Sequence, residues 1–296
     1  MRGKVVLITG GTGGIGKQTA LALAGLGAQV IVTGRSQASG DAALAEIKQA
    51  AGSDNAELML ADLSSQQAIH TLAAEIRTRY PRLDVLINNA GLVNPTRELT
   101  TDGIEANFAV NVIAPFLLTR LLEDLLEAST SARVVTLAGG NVPQTLDLDN
   151  LQGEQSFVGL TAYSQAKLAM MVVMYEYAER LRGRPITVNV CYPGQASTNM
   201  TRSVTREMLP KGIRPLYPIF RLLTRPDGGR SATKASQSSV FLASSPAVEG
   251  VSGKYYDSKS REAAWPRPVL DAGIRQQVWQ SVTRLAAGPA SPAPTP

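Results

Sequence analysis

The run Thr9-Gly10-Gly11-Thr12-Gly13-Gly14-Ile15-Gly16 narrows what this chain can fold into more than any other feature. A short unbroken apolar stretch, Lys4 to Thr9, precedes it, and a stretch of helical periodicity, Ile15 to Leu26, follows. A tight strand-to-helix turn needs far fewer glycines than this. The excess fits a loop whose backbone must closely approach a bound group at a helix amino terminus, where free N–H groups and the helix dipole favour an anion such as a pyrophosphate.

The same rhythm continues along the chain. Gln29 to Thr33, Glu57 to Ala61, Asp84 to Asn88, Arg133 to Ala138 and Ile186 to Tyr192 read as strands. They alternate with helical stretches at Ala38 to Ala51, Ser65 to Tyr80, about Thr101 to Leu126 and about Thr161 to Arg182. Short Val/Ile/Leu-rich strands without polar alternation are those of a parallel sheet covered on both faces. Right-handed crossovers then give an α/β fold: one doubly wound Rossmann-type domain with a mainly parallel, seven-stranded sheet. The domain is expected over residues 1–287, closing with a helix from about Gly228 to Ser244, a strand Gly253 to Asp257 and a helix near Val269 to Ala287. Residues 199–230 mix Met, Leu, Ile and Phe with Arg202, Arg206, Lys211, Arg214, Arg221 and Arg225 and read as an amphipathic lid, and the Pro/Ala-rich tail 288–296 reads as disordered.

Composition excludes several chemistries. Cys191 is the only cysteine and His70 the only histidine among 296 residues, so neither a disulfide within the chain nor a Cys/His metal cluster is available, and no metal site is expected. A Ser-His-Asp triad would depend on a histidine set in a helix, with no Gly-x-Ser-x-Gly turn to present the serine. No cationic leader precedes the first strand and no run approaches the roughly 18 apolar residues of a membrane span, so a cytoplasmic protein without a transmembrane anchor is expected. The net charge of +5 is scattered rather than gathered in a basic block, which disfavours nucleic acid and suits an anionic small molecule or an acidic carrier protein.

The second strand ends Thr33-Gly34-Arg35-Ser36. A carboxylate at this point would accept from an adenosine ribose 2′-hydroxyl, whereas the planar guanidinium of Arg35 suits a 2′-phosphate, so the expected cofactor is NADP(H).

With Asn88-Asn89-Ala90-Gly91, Tyr163-x-x-x-Lys167 and Pro193-Gly194 in the same order and spacing, the chain resembles the short-chain dehydrogenases/reductases over about residues 3 to 260. Asn150-Leu151-Gln152-Gly153-Glu154, Tyr192-Pro193-Gly194 and the long segment after Thr198 make it most similar to their retinol dehydrogenase and protochlorophyllide reductase branch. The resemblance implies that Gly10, Thr12, Gly13, Gly14, Ile15 and Gly16 hold the pyrophosphate, Arg35 and Ser36 the 2′-phosphate, and Asp62 and Leu63 the adenine. It sets Asn88, Asn89, Ala90 and Gly91 along the cofactor and Pro193, Gly194 and Thr198 near the nicotinamide. It assigns Tyr163 as proton donor or acceptor, Lys167 as its partner and the ribose ligand, and Asn111 as holder of a proton-relay water. Tyr163 and Lys167, four apart on a helix, share a face, and the lysine cation is expected to lower the phenol's ordinary pKa of about 10.

One part of the family pattern is missing. The serine that normally binds the substrate oxygen would fall in a Ser-Ser pair, and Ala138-Gly139 stand there. Either another donor, Asn141 or Thr161, replaces it, or the substrate polarises its own reacting carbon, or the chemistry is not redox. The leading expectation is hydride transfer between NADP(H) and a carbonyl, alcohol or alkene carbon of a bulky apolar molecule. The alternatives are a redox-neutral cyclisation, isomerisation or elimination, and an NADP(H)-sensing binding protein, against which the intact Tyr163, Lys167 and Asn111 argue. Met170, Met171, Val173 and Met174 around one helix are compatible with burial in a monomer or in a helix-bundle homodimer.

Overall fold

The computed structural model describes residues 1–139, 142–227 and 230–288. Asn141 and the tail 289–296 lie outside these residues. Strand β1 (Val5–Ile8) leads through the glycine loop into α1 (Gly14–Gly25); β2 (Gln29–Gly34), α2 (Gln37–Ala51), β3 (Ala56–Leu60), α3 (Gln66–Arg79) and β4 (Val85–Asn88) follow. All four residues of β1 and of β4 are buried, the signature read in the sequence of strands covered on both faces. Leu7, Ile31, Leu86, Val134 and Val188 pack toward one helical layer, whereas Val6, Ile8, Val32, Ile87 and Val135 pack toward the other, so side-chain alternation divides the core into two.

The expected long helix over 101–126 is broken. The chain forms α4 (Ala106–Phe108), a π-helical turn (Ala109–Ile113), α5 (Ala114–Leu121) and α6 (Glu123–Glu127). Pro115 has no N–H to close an ordinary helical bond on the Asn111 carbonyl four residues earlier, and the N–H of Ala114 reaches instead to Ala109, five residues back. Glu105 fixes the start of this element: buried, it accepts from the N–H groups of Asn107 at 2.9 Å and Phe108 at 2.8 Å.

Strand β5 (Ala132–Leu137), the long α7 (Gly159–Arg180) and β6 (Ile186–Cys191) complete the parallel core. The segment after β6 breaks into α8 (Asn199–Arg202), 3-10 turns at Arg206–Met208 and Lys211–Leu216, and α9 (Tyr217–Leu223), before α10 (Arg230–Ser244) returns to the layer of α1. Strand β7 (Tyr255–Tyr256) is shorter than expected and turns back into an eighth strand, β8 (Glu262–Ala263), antiparallel to it. Among the described residues the sheet has eight strands, ordered β3-β2-β1-β4-β5-β6-β7-β8, and not seven. The carboxyl ends of β1 and β4 face the crevice where the order reverses, the usual ligand position in such sheets.

The carboxyl-terminal helix expected near 269–287 is two helices, α11 (Arg267–Leu270) and α12 (Ala272–Ala286), separated by Asp271, whose carboxylate accepts from the Ile274 N–H at 2.9 Å. On α12, Trp279 meets Phe116 at 5.3 Å and Tyr177 at 4.9 Å between ring centroids. The guanidinium of Arg180 lies 4.2 Å over the Trp279 ring. Met170, Met171 and Met174 are buried within the single chain, so no second copy is required to cover them.

Candidate active site

The glycine loop is built for close approach. Gly10 has φ +64°, and a Cβ on Gly16 would lie 2.3 Å from Asn89 Nδ2 and 2.4 Å from the Gly10 carbonyl oxygen. Asn89 donates from Nδ2 to the carbonyls of Thr9 and Gly10 at 2.8 and 3.1 Å, tying the end of β4 to the loop. Thr9 Oγ1 accepts from the N–H groups of Asn89 and Ala90, each at 3.0 Å. The amino terminus of α1 has no side-chain cap and no acidic residue in its first turn, and the space beside Gly13 is open. These features fit the pyrophosphate of a dinucleotide, which needs free N–H groups, an open approach and no competing carboxylate.

Arg35 stands exposed just beyond β2, where Gly34 packs under Thr12 in the same loop, and it forms no ion pair among the described residues. Ser36 caps α2, accepting from the Ser39 N–H at 3.5 Å. Asp62 is exposed and accepts from Ser64 N and Oγ at 3.0 and 2.8 Å. The Leu63 side chain belongs to the core. Asn88 is a correction: its side chain is buried inside the sheet and donates to Thr136 and Thr119, so it supports the strand, while Asn89 faces the loop.

Tyr163, Lys167 and Asn111 lie near one another. Lys167 is buried, donates from Nζ to the Leu137 carbonyl at 3.1 Å, and lies 5.9 Å from the Tyr163 ring centroid. Asn111, on the π-helical turn, donates from Nδ2 to the carbonyls of Leu92 and Asn107, both at 2.8 Å. A Cβ placed on Gly91 would stand 3.2 Å from Asn111 Oδ1, 3.6 Å from Met200 Sδ and 3.8 Å from Lys167 Nζ, which brings the three side chains around one point. Met200 is the lid's contribution, and a lone methionine carries no motif that marks it in the sequence.

Thr198 caps α8 and exchanges bonds with Thr201 in a reciprocal capping box. A Cβ on Gly14 would lie 3.1 Å from Thr198 Cγ2, so the start of α8 sits directly against the glycine loop. Pro193 is buried, and Gly194 turns the chain at φ +86° beside Ser258.

The expected lowering of the Tyr163 pKa is not found. Burial, reinforced by the nearby Tyr192 phenol, pushes Tyr163 up to about 12. Burial likewise brings Lys167 down to about 8. Desolvation is the leading cause for both groups, and each favours its neutral form more than it would in water.

Gly139 occupies the place where the family pattern has serine. A Cβ there would lie 3.0 Å from Lys167 Cγ and 3.4 Å from Tyr163 Cε1, so the position without a hydroxyl lies directly beside the Tyr163–Lys167 pair. Thr161 is exposed on the first turn of α7. The sequence marks Tyr192 only as part of Tyr-Pro-Gly, yet its hydroxyl makes no hydrogen bond among the described residues. The pairing of Leu137 with Cys191 sets it beside Ala138. His70 is exposed on α3 and takes no part.

Over Tyr163 lies a small apolar cluster of its own. Val93, Val204, Met208 and Leu209 are buried together, with Leu160, Tyr163, Met200, Tyr217 and Phe220 packed against them. The lid thus covers Tyr163 with hydrocarbon.

The family model described as short chain dehydrogenase matches residues 4–209. Retinol dehydrogenase 14 of Homo sapiens is 37% identical over 293 residues, covering 94% of this chain and 85% of that protein. Polyprenol dehydrogenase of Homo sapiens is 33% identical over 287 residues, covering 93% and 83%. A putative NAD(P)-dependent gluconate 5-dehydrogenase from Beutenbergia cavernae, solved with bound NADP, superimposes with a TM-score of 0.66 at 27% identity over 87% of this chain and 96% of that one. The glycine loop, the Tyr163–Lys167 pair and these likenesses together establish that the chain belongs to the short-chain dehydrogenases, on the branch of the retinol dehydrogenases.

Proposed function

We propose that this protein is an NADP(H)-dependent oxidoreductase that interconverts an alcohol and a carbonyl on a long apolar molecule. The observation that carries this reading is the Tyr163–Lys167 pair set under an apolar roof at the mouth of the dinucleotide crevice. The names of its relatives, retinol dehydrogenase and polyprenol dehydrogenase, supply the substrate class: extended hydrocarbon alcohols. An NADP-bound relative of the same fold supports the cofactor.

The glycine loop and α1 would hold the pyrophosphate, Arg35 the 2′-phosphate, and Lys167 the nicotinamide ribose, with Pro193, Gly194 and Thr198 beside the nicotinamide. The bound cofactor supplies or takes up the hydride. Tyr163 moves the proton at the substrate oxygen. A neutral phenol is the form needed to donate during carbonyl reduction, and a pKa near 12 keeps it neutral throughout the physiological range. Lys167 holds its ammonium against the Leu137 carbonyl, and Asn111 anchors the loop carrying Leu92 across the crevice floor. The roof residues exclude water from the reacting carbon and offer hydrocarbon to the substrate chain.

The missing hydroxyl at Gly139 favours a second reading, redox-neutral proton transfer by Tyr163 on the same fold. Product mass separates the two. Purified protein is incubated with NADPH and an isoprenoid aldehyde such as retinal, and the product is weighed. The oxidoreductase reading expects a gain of two hydrogens matched by NADPH consumed, and a loss of about 10²–10⁴ in kcat for Tyr163→Phe with NADPH binding retained. Failure to bind NADPH would overturn it, and conversion at unchanged mass would establish the second reading.

A further inference from the structure

Four of the large apolar side chains that the fold leaves in solvent fall within ten residues of the lid. Ile213, Leu216, Ile219 and Leu222 are 44%, 54%, 57% and 56% exposed. Their spacing of three sets them along one side of the Lys211–Leu216 turn and α9, as a continuous ridge. Tyr217 and Phe220 occupy the opposite side, stacked 6.4 Å apart and packed into the roof over Tyr163. The element is therefore apolar on both faces, although its inner face alone completes the core.

The charge around the ridge is one-sided. Residues 199–227 hold six cations and two carboxylates, a net of +4 in a chain whose total is +5. Lys211, Arg221 and Arg225 are exposed, and none is in an ion pair among the described residues. Arg221 donates to the Arg202 carbonyl at 2.8 Å, which leaves its charge without a carboxylate partner, and a hydrocarbon ridge fringed by such cations suits a surface that offers acyl chains beneath anionic headgroups. A second copy of the chain would bring the same cations against each other.

We infer that the outer face of the lid, Ile213 to Leu222, docks on a bilayer containing anionic lipid, so that the site beneath Tyr217 and Phe220 opens toward the membrane. Docking is independent of the oxidoreductase reading, because it is measured without cofactor or turnover. The purified protein is sedimented with phosphatidylcholine vesicles and with vesicles of phosphatidylcholine mixed with phosphatidylglycerol. Binding is expected to the mixed vesicles only, and to weaken as salt is raised. Leu216→Ser/Ile219→Ser/Leu222→Ser and, separately, Lys211→Glu/Arg225→Glu should each lower partitioning by more than about tenfold. Thermal stability and NADPH binding should not change, since the altered side chains point away from both core and crevice. With Ile219→Trp, indole emission should shift to the blue on the mixed vesicles and be quenched by brominated acyl chains. The inference is overturned if the unaltered protein stays in the supernatant, or if the triple-serine protein sediments as well as the parent. It is equally overturned if the serine substitutions abolish only a concentration-dependent self-association.

Discussion

Replacing Gly139 by serine puts back the hydroxyl that the fold otherwise lacks, and the structure indicates both the gain and the cost. The added Cβ would sit 3.0 and 3.2 Å from Cγ and Cβ of Lys167 and 3.4 Å from Cε1 of Tyr163, so α7 must yield by a few tenths of an ångström. Overpacking of that kind costs about 1–3 kcal/mol, and each kcal/mol lowers Tm by about 2–4 °C in a domain approaching this size. Alanine at the same position carries the steric cost without the donor, so the pair of variants separates the two effects. A hydrogen bond made to the substrate oxygen as charge develops is worth about 2.7–4 kcal/mol, or 10²–10³ in rate, when its geometry is good. Gly139→Ser should therefore exceed Gly139→Ala in kcat by about tenfold to a thousandfold, with KM little changed and the two Tm values alike. Steady-state NADPH consumption with an isoprenoid aldehyde, together with calorimetry, reads both quantities. Equal kcat for the two variants would refute the reasoning, and would mean that the oxygen is already served by another group, with Tyr192 the neighbouring hydroxyl.

Two further outcomes follow from the same geometry. Arg35→Asp should weaken NADPH binding by about 10- to 100-fold, the worth of a charge-assisted hydrogen bond, while leaving or improving NADH binding; equal losses for both nucleotides in a fluorescence titration would take Arg35 away from the 2′-phosphate. Lys167 has its pKa lowered from 10.5 to about 8, so its burial as a cation costs stability in full below pH 8, and the cost is relieved as the pH rises toward 10.5. The stability of the parent relative to Lys167→Met should therefore climb between those limits at up to about 1.4 kcal/mol per pH unit. A flat or falling difference in denaturant titrations without cofactor would show that the ammonium is not desolvated.

The strands and the glycine loop were legible because each rests on a local rule: unbroken apolar runs for strands buried on both faces, and glycines where backbone must meet a ligand. Tyr163 and Lys167 were legible for the same reason, since four residues on a helix always share a face. What escaped depends on contacts between distant residues. Nothing in the apolar pattern of 101–126 marks the π-helical turn, although Pro115 within it was a visible warning. Strand β8 has two residues, one of them charged, and is held by a hairpin in which the Asp257 carboxylate binds the N–H groups of Lys259 and Arg261. The direction of the Tyr163 shift was missed because spacing reports which groups are neighbours and says nothing about how much water surrounds them. Met200 joins the site only through the path of the lid, which no periodicity encodes.

The packing of α12 has a consequence for how the protein is made. Phe116, Tyr177 and Trp279 form one aromatic contact, yet Trp279 leaves the ribosome long after the other two. Until it does, Tyr177 of α7, the helix that carries both Tyr163 and Lys167, and Phe116 of the neighbouring α5 lack the aromatic cover that α12 supplies. The Rossmann half can assemble during synthesis from contacts already available, whereas the catalytic layer is completed only when α12 docks. The helix that carries Tyr163 and Lys167 should therefore be consolidated late in the life of a nascent chain, after the glycine loop and the first strands.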